Sequence, residues 1–196
     1  MTPLDDMALV EEFVEILNQL RIPVVIGGSI ASSIHGQVRF TQDADLCVEP
    51  FDEQMTSFLD RVRAHWYVSD SAVQYALRHR TSFNLIHLQT AFKIDVFVRQ
   101  NNPFDSQIIP RRQYARLTGS SPKECPILSP EDTILMKMRW YVEGGMQSQR
   151  QWDDILGVLR IQRDKLDMRY LESWVSRWNS KDLLDRLIHE AGLDSL

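Results

Sequence analysis

Val25-Ile-Gly-Gly-Ser-Ile-Ala-Ser-Ser-Ile-His-Gly36, continued by Gln37-Val-Arg-Phe-Thr-Gln-Asp-Ala-Asp45, is where the chain declares its architecture. Val24-Val25-Ile26 is a short apolar run that reads as a buried strand, and it ends in Gly27-Gly28. Two glycines there let the backbone approach a ligand closely, because no Cβ intrudes. Ser29 then opens a helix that runs to about Ile34 and is capped by Gly36. The first amides of a helix are unpaired, so a phosphate placed before them meets N–H groups, a hydroxyl and the helix dipole. A purely structural turn would be written the same way, so this element alone decides nothing.

The second part adds charge. Asp43 and Asp45 stand two apart in a strand running to Glu49, so both carboxylates project from one face while Leu46 and Val48 take the other. Carboxylates side by side repel unless a cation separates them. Magnesium suits that position, since it bridges one or two carboxylates to substrate phosphates. The alternative is an exposed strand edge with two solvated acids. A third acid follows in Phe92-Lys-Ile-Asp-Val-Phe-Val98, where Phe92, Ile94, Val96 and Val98 form an apolar face and Asp95 sits mid-strand. An unpaired charge among such neighbours is expensive. It is tolerated if it faces a metal or a cation, and two-metal phosphoryl chemistry asks for three acids converging from neighbouring strands.

Around this nucleus the elements alternate. An opening helix starts behind Thr2-Pro3 and carries Leu9, Phe13, Ile16, Leu17 and Leu20 at helical spacing until Pro23 closes it. A helix over about 51–64 turns Phe51, Met55, Phe58, Leu59 and Val62 inward, and 71–79 has the pattern of a short helix. Strands over 82–88 and 92–98 form a hairpin. Residues 101–126 read as loop with one short helix or strand, and beyond Ser129-Pro130 three or four helices follow with no strand. The sequence therefore predicts an α/β domain over 1–128 and a helical domain over 129–196.

Composition sets the outer bounds. The chain has 196 residues, 43% hydrophobic and 25% charged, enough to bury a core without disulfide or structural metal. Cys47 and Cys125 are isolated, which argues against a zinc site. A net charge of −5 leaves no general field to attract nucleic acid. Arg111, Arg112 and Arg116 are a local exception, read as a solvated loop or, less readily, as a phosphate contact. No run approaches membrane-spanning length and the N-terminus is not signal-like, so a cytoplasmic protein with no membrane partner is expected.

Gly27-Gly28-Ser29, then Asp43-Ala44-Asp45 after thirteen residues, then Asp95 in an apolar strand, resembles the DNA-polymerase-β-like nucleotidyltransferase superfamily over roughly residues 20 to 100. The resemblance implies an α+β fold: a small mixed sheet with helices packed on it, followed by a C-terminal helical bundle. It implies that Gly27, Gly28 and Ser29 hold the triphosphate of an NTP and that Asp43 and Asp45 bind two magnesium ions. Asp95 would complete the second metal site and help deprotonate an acceptor hydroxyl.

The run Arg39-Phe-Thr-Gln-Asp43-Ala-Asp45 is similar, more narrowly, to the abortive-infection toxin-type and minimal bacterial nucleotidyltransferases. Arg39 can pair with phosphate beside the metal or make a structural salt bridge. Lys137, in a helix begun by Ser129-Pro130 with Ile134, Leu135, Met138, Tyr141 and Val142 as its stripe, contacts the triphosphate by resemblance; otherwise it snorkels from a packed helix. Asp153-Asp154 pairs with cations of the previous helix or, as a minor alternative, binds metal. Trp152, Ile155, Leu156 and Leu159 face inward, while His65, His79, His87 and His189 show no ligand spacing.

The implied activity is transfer of a nucleoside monophosphate to a hydroxyl of RNA (a tRNA end, for example), a protein or a small molecule. An antitoxin partner is implied by the toxin-type group alone. The competing class is a non-catalytic nucleotide-binding or partner-binding module, in which one of three mutually repelling acids is expected to be lost. This chain keeps all three.

Overall fold

The computed structural model describes residues 3–193, so Thr2 as a cap lies outside the described residues. The chain divides into two compact units. One reaches to Ile30 and resumes over Phe40–Ile127; the other takes Ala31–Arg39 and everything from Leu128.

The first unit is built on a seven-stranded mixed sheet of order β3-β4-β5-β2-β1-β7-β6. Its strands are β1 (Val24–Ile26), β2 (Asp43–Val48), β3 (Trp66–Val68), β4 (Ser82–His87), β5 (Lys93–Val98), β6 (Gln113–Ala115) and β7 (Cys125–Ile127). β1 runs antiparallel to β2 and parallel to β7, and β2 runs parallel to β5. The expected hairpin of β4 and β5 is present. Helix α1 (Pro3–Gln19) and helix α3 (Met55–Val62) cover the apolar face, and an aromatic chain joins them to it. Phe13 meets Phe58 edge-on at 6.1 Å between ring centres, and Phe58 meets Phe83 of β4 at 6.0 Å. Such rings bury large area and their edge-to-face contacts add about 0.5–1.5 kcal/mol each.

Several boundaries differ from expectation. The helix expected over 51–64 begins as a single 3-10 turn, Asp52–Gln54, before α3, and Met55 is only half-buried. The helix over 71–79 is α4, Asp70–His79, capped by Ser69, whose hydroxyl accepts from the Ala72 amide at 3.3 Å. The stretch taken as loop holds α5 (Asp105–Ile108) and two strands, β6 and β7, and β3 lies where no strand is expected. These three strands are three residues each, too short to carry a period, and β7 contains Pro126. Near β6, Arg112 donates to the Ile109 carbonyl at 2.7 Å and lies over the Tyr114 ring. That accounts for Arg112 locally.

The second unit is helical: α6 (Pro130–Glu143), α7 (Gln149–Gln162), α8 (Met168–Arg177) and α9 (Lys181–Ala191). Ser129 caps α6 by accepting from the Asp132 amide at 3.1 Å, with Pro130 at the first position. Trp152, Ile155, Leu156 and Leu159 are buried as their spacing requires. Two expectations for α6 fail: Val142 is exposed, and Lys137 is buried rather than bordering the stripe. The reason is that α6 is buried almost all round in its first turns, from Pro130 to Leu135, so no single stripe describes it.

Residues 31–39 join this unit by close backbone approach. A Cβ on Gly36 would lie 2.7 Å from the Val158 amide nitrogen, and one on Gly157 would lie 3.2 Å from that of Gln37. Beside them the buried His35 donates from Nε2 to the Leu128 carbonyl at 2.7 Å. Burial holds its pKa below the ordinary 6.5, against the raising influence of that carbonyl and of Glu131. As pH falls below 6.5 the unfolded chain takes up this proton first, so stability is lost from there down to the depressed value. His35→Gln, which keeps a donor but cannot titrate, is expected to flatten the fall in Tm below that pH. An unchanged slope would assign it to other groups.

Candidate active site

Helix α2 (Gly28–His35) follows β1 directly, and β1 pairs with β2, so the glycine turn and the paired acids are neighbours by topology. The Gly27 amide donates to the Asp45 carbonyl at 2.8 Å and extends the β1–β2 ladder by one step. Gly28 has φ +55, and a Cβ there would lie 1.9 Å from Asp45 Oδ2. The side chain of Asp45 therefore lies against the backbone of the turn, and glycine is required twice over, by conformation and by space. Gly28→Ala is expected to cost at least about 1–2 kcal/mol from the left-handed backbone alone. It should also displace Asp45. Urea unfolding measures the first effect, and an unchanged midpoint would contradict the geometry.

Along β2 the residues alternate between half-buried Asp43, Asp45, Cys47 and buried Ala44, Leu46, Val48. In β5, Lys93, Asp95 and Phe97 alternate with Ile94, Val96 and Val98 in the same way. The parallel register sets Asp43 opposite Lys93 and Asp45 opposite Asp95. Neighbouring strands lie about 4.8 Å apart, so Asp45 and Asp95 are side-by-side on one face with Asp43 one pleat away. Asn84 of β4 stands opposite Asp95 in register and continues this row. Thr41 donates from Oγ1 to Asp43 Oδ1 at 2.8 Å and so orients it. Cys47, next along the face, is pushed up to about 12, mainly by burial and then by Asp105, and is no thiolate at neutral pH.

Lys93 changes the balance of this face. Its Nζ stands 2.6 Å from Asp95 Oδ2, with 40% of its side chain exposed against 24% for Asp95. Its pKa is raised, first by the hydrogen bond to Asp95 and then by the charges of Asp95, Asp43 and Asp45, against the lowering effect of burial. Among the described residues, no group of three or more His, Cys, Asp or Glu is arranged to hold a metal ion. The donor chemistry still suits one: Asp43 and Asp45 offer hard oxygens, and a cation already rests on the third acid. A cavity of about 530 Å³ opens beside Asp43 and Lys93, lined also by Asp6, Phe40, Gln42 and Thr90. That volume suits a small ligand.

Arg39 and Lys137 belong to the second unit, where both engage Asp154. Arg39 donates from Nε to Oδ1 at 2.9 Å and from Nη2 to Oδ2 at 3.0 Å; Lys137 Nζ lies 2.7 Å from Oδ2 and also donates to Gln151 Oε1 at 3.2 Å. Lys137 is 2% exposed. Burial raises the Asp154 pKa, but the hydrogen bonds and charges of Arg39 and Lys137 outweigh it and hold it below the ordinary carboxylate value. Asp153, by contrast, accepts from Gln149 at the surface at 2.8 Å.

Sequence reasoning passed over Lys93 and Asn84, and took Thr41 only as a position of the Arg39–Asp45 run. Lys93 was within reach, since it lies two residues before Asp95 and so on the same face. Asn84 depends on the hairpin register, which no local pattern sets.

By sequence, no family model and no curated protein matches the chain. By structure, the fold is that of nucleotidyltransferases. The antibiotic-resistance factor ANT(2'')-Ia superposes with TM-score 0.58 at 12% identity, covering 96% of this chain and 99% of its own. An antigenic nucleotidyltransferase-like protein from Paracoccidioides brasiliensis gives 0.59 at 16% identity, over 95% and 91%. The lincosamide antibiotic adenylyltransferase LnuA, lincomycin-bound, gives 0.51 at 12%, over 78% and 95%. At such identities the likeness is one of fold.

Proposed function

We propose that the protein is a metal-dependent nucleotidyltransferase that moves a nucleoside monophosphate from an NTP to the hydroxyl of a small molecule. The observation that carries this is the shared face of Asp43, Asp45 and Asp95 beside the Gly27-Gly28-Ser29 turn. Asp43 and Asp45 would hold magnesium, and the turn would receive the triphosphate on its amides and the Ser29 hydroxyl. When bound, the ion supplies neutralisation of charge on the triphosphate oxygens. Asp95 takes the proton of the acceptor hydroxyl as that oxygen forms the new bond to the α-phosphorus. The bond to pyrophosphate breaks and pyrophosphate leaves with its electron pair.

A small acceptor is preferred to a tRNA end or a protein side chain on three grounds. By name one structural neighbour is an antibiotic-resistance factor and another an antibiotic adenylyltransferase, and the cavity beside Asp43 has small-molecule volume. An overall charge of −5 is also unhelpful to RNA. The toxin-type role and an antitoxin partner rest on the Arg39–Asp45 run alone. Arg39 and Lys137 remain phosphate contacts by resemblance; their engagement with Asp154 supports the structural role.

The test is incubation with each labelled NTP, magnesium and panels of hydroxyl compounds, scoring label transfer and pyrophosphate release. Asp95→Ala is expected to lose transfer while keeping nucleotide affinity, because Asp43 and Asp45 are untouched; such a loss falls on the chemical step. Nucleotide binding with no transfer to any acceptor would favour the non-catalytic module instead.

A further inference from the structure

We propose that Lys93 is an internal cation standing in for the acceptor-side member of a metal pair, so that the chain holds one divalent ion, on Asp43 and Asp45, rather than two. The inference rests on the proposed function and departs from the two ions that the sequence resemblance implies.

Three observations point to it. The Lys93 ammonium is already seated on Asp95 Oδ2 at 2.6 Å, on the carboxylate that would distinguish a second metal position from the first. It is tethered there. Lys93 and Asp95 are two apart on one strand and one face, so the contact needs no rearrangement elsewhere, and a tethered ligand competes at high effective concentration. Charge gives the third. Asp43, Asp45 and Asp95 with Lys93 leave two negative charges on the face, which one divalent ion cancels. A second ion would have to lodge against the ammonium and be repelled by it.

The arrangement has a use. An ammonium carries three donors, so Lys93 can hold the Asp95 carboxylate with one and offer another to the acceptor oxygen. Lys93 is in this sense a positioning residue for Asp95.

Counting bound Mn²⁺ tests this without any turnover. Free Mn²⁺ is followed by its EPR signal during titration of the folded protein, and bound ions are examined for spin coupling. Wild type is expected to bind one Mn²⁺ per chain, with any second ion at least tenfold weaker. Lys93→Met should admit a second, and its spectrum should show the coupling of ions about 3.5–4 Å apart. Lys93→Gln repeats the neutral change with a polar side chain, and Lys93→Arg should keep the count at one. Two coupled ions in wild type, or a count of one in both neutral variants, overturns the inference and leaves the proposed function standing. One ion retained by Asp43→Asn/Asp45→Asn, or none bound by wild type, overturns both.

Discussion

Asp43→Asn combined with Asp45→Asn is expected to abolish transfer and the magnesium-dependent rise in Tm that an NTP gives the wild type. A ligand that binds only the folded state stabilises it by mass action, and the shift vanishes when the metal that joins nucleotide to protein has no ligands. Loss of metal-supplied charge stabilisation of about 4 kcal/mol corresponds to about a thousandfold in rate. The fold should survive. Asn is nearly isosteric with Asp, and two carboxylates on one strand face repel each other, so the metal-free Tm should hold or rise. Differential scanning fluorimetry with and without magnesium separates the effects. An equal magnesium-dependent shift in the double variant would mean that these acids do not hold the ion.

The second large effect concerns stability. Asp154→Ala removes the carboxylate that serves both Arg39 and Lys137, and Lys137 is buried in α6. Breaking a buried ion pair from one side costs about 3–5 kcal/mol, because the charge that stays buried loses its counter-charge. Asp154→Ala with Lys137→Met should be milder than Asp154→Ala alone, since both buried charges are then gone. Urea denaturation of the three proteins decides it, and equal losses in the single and double variants would show that the charge is not the cause. The pair also sets an acid limit. Asp154 titrates below 3.8 when folded, so its contribution is complete above that pH and is lost as pH falls through the depressed value.

The parts of the molecule that could be read from sequence are those whose signal is local. Asp43 and Asp45 share a face because strands have a period of two, and the β4–β5 hairpin and the Ser129-Pro130 helix start follow from patterning and capping. What could not be read depends on partners distant in the chain. β7 is a strand because β1 and β6 flank it, in spite of Pro126. Residues 31–39 join the second unit because Gly36 and Gly157 permit backbone contact, which no periodicity reports. Lys137 looked like a border residue because nothing local announces that Asp154 and Gln151 will receive it.

The order in which the sheet can be assembled gives the Lys93–Asp95 contact another role. β4 and β5 are adjacent in the chain and can pair early, whereas β5 must find β2 across α3, β3, α4 and β4. Loop closure makes such non-local pairing slow, and β1 with β7 is more distant still. The hairpin brings Asp95 already matched by a lysine of its own strand. When it docks beside Asp43 and Asp45, no third bare carboxylate is driven against the first two. That non-local pairing is thereby spared an electrostatic barrier, at a stage when no nucleotide or ion is there to remove it.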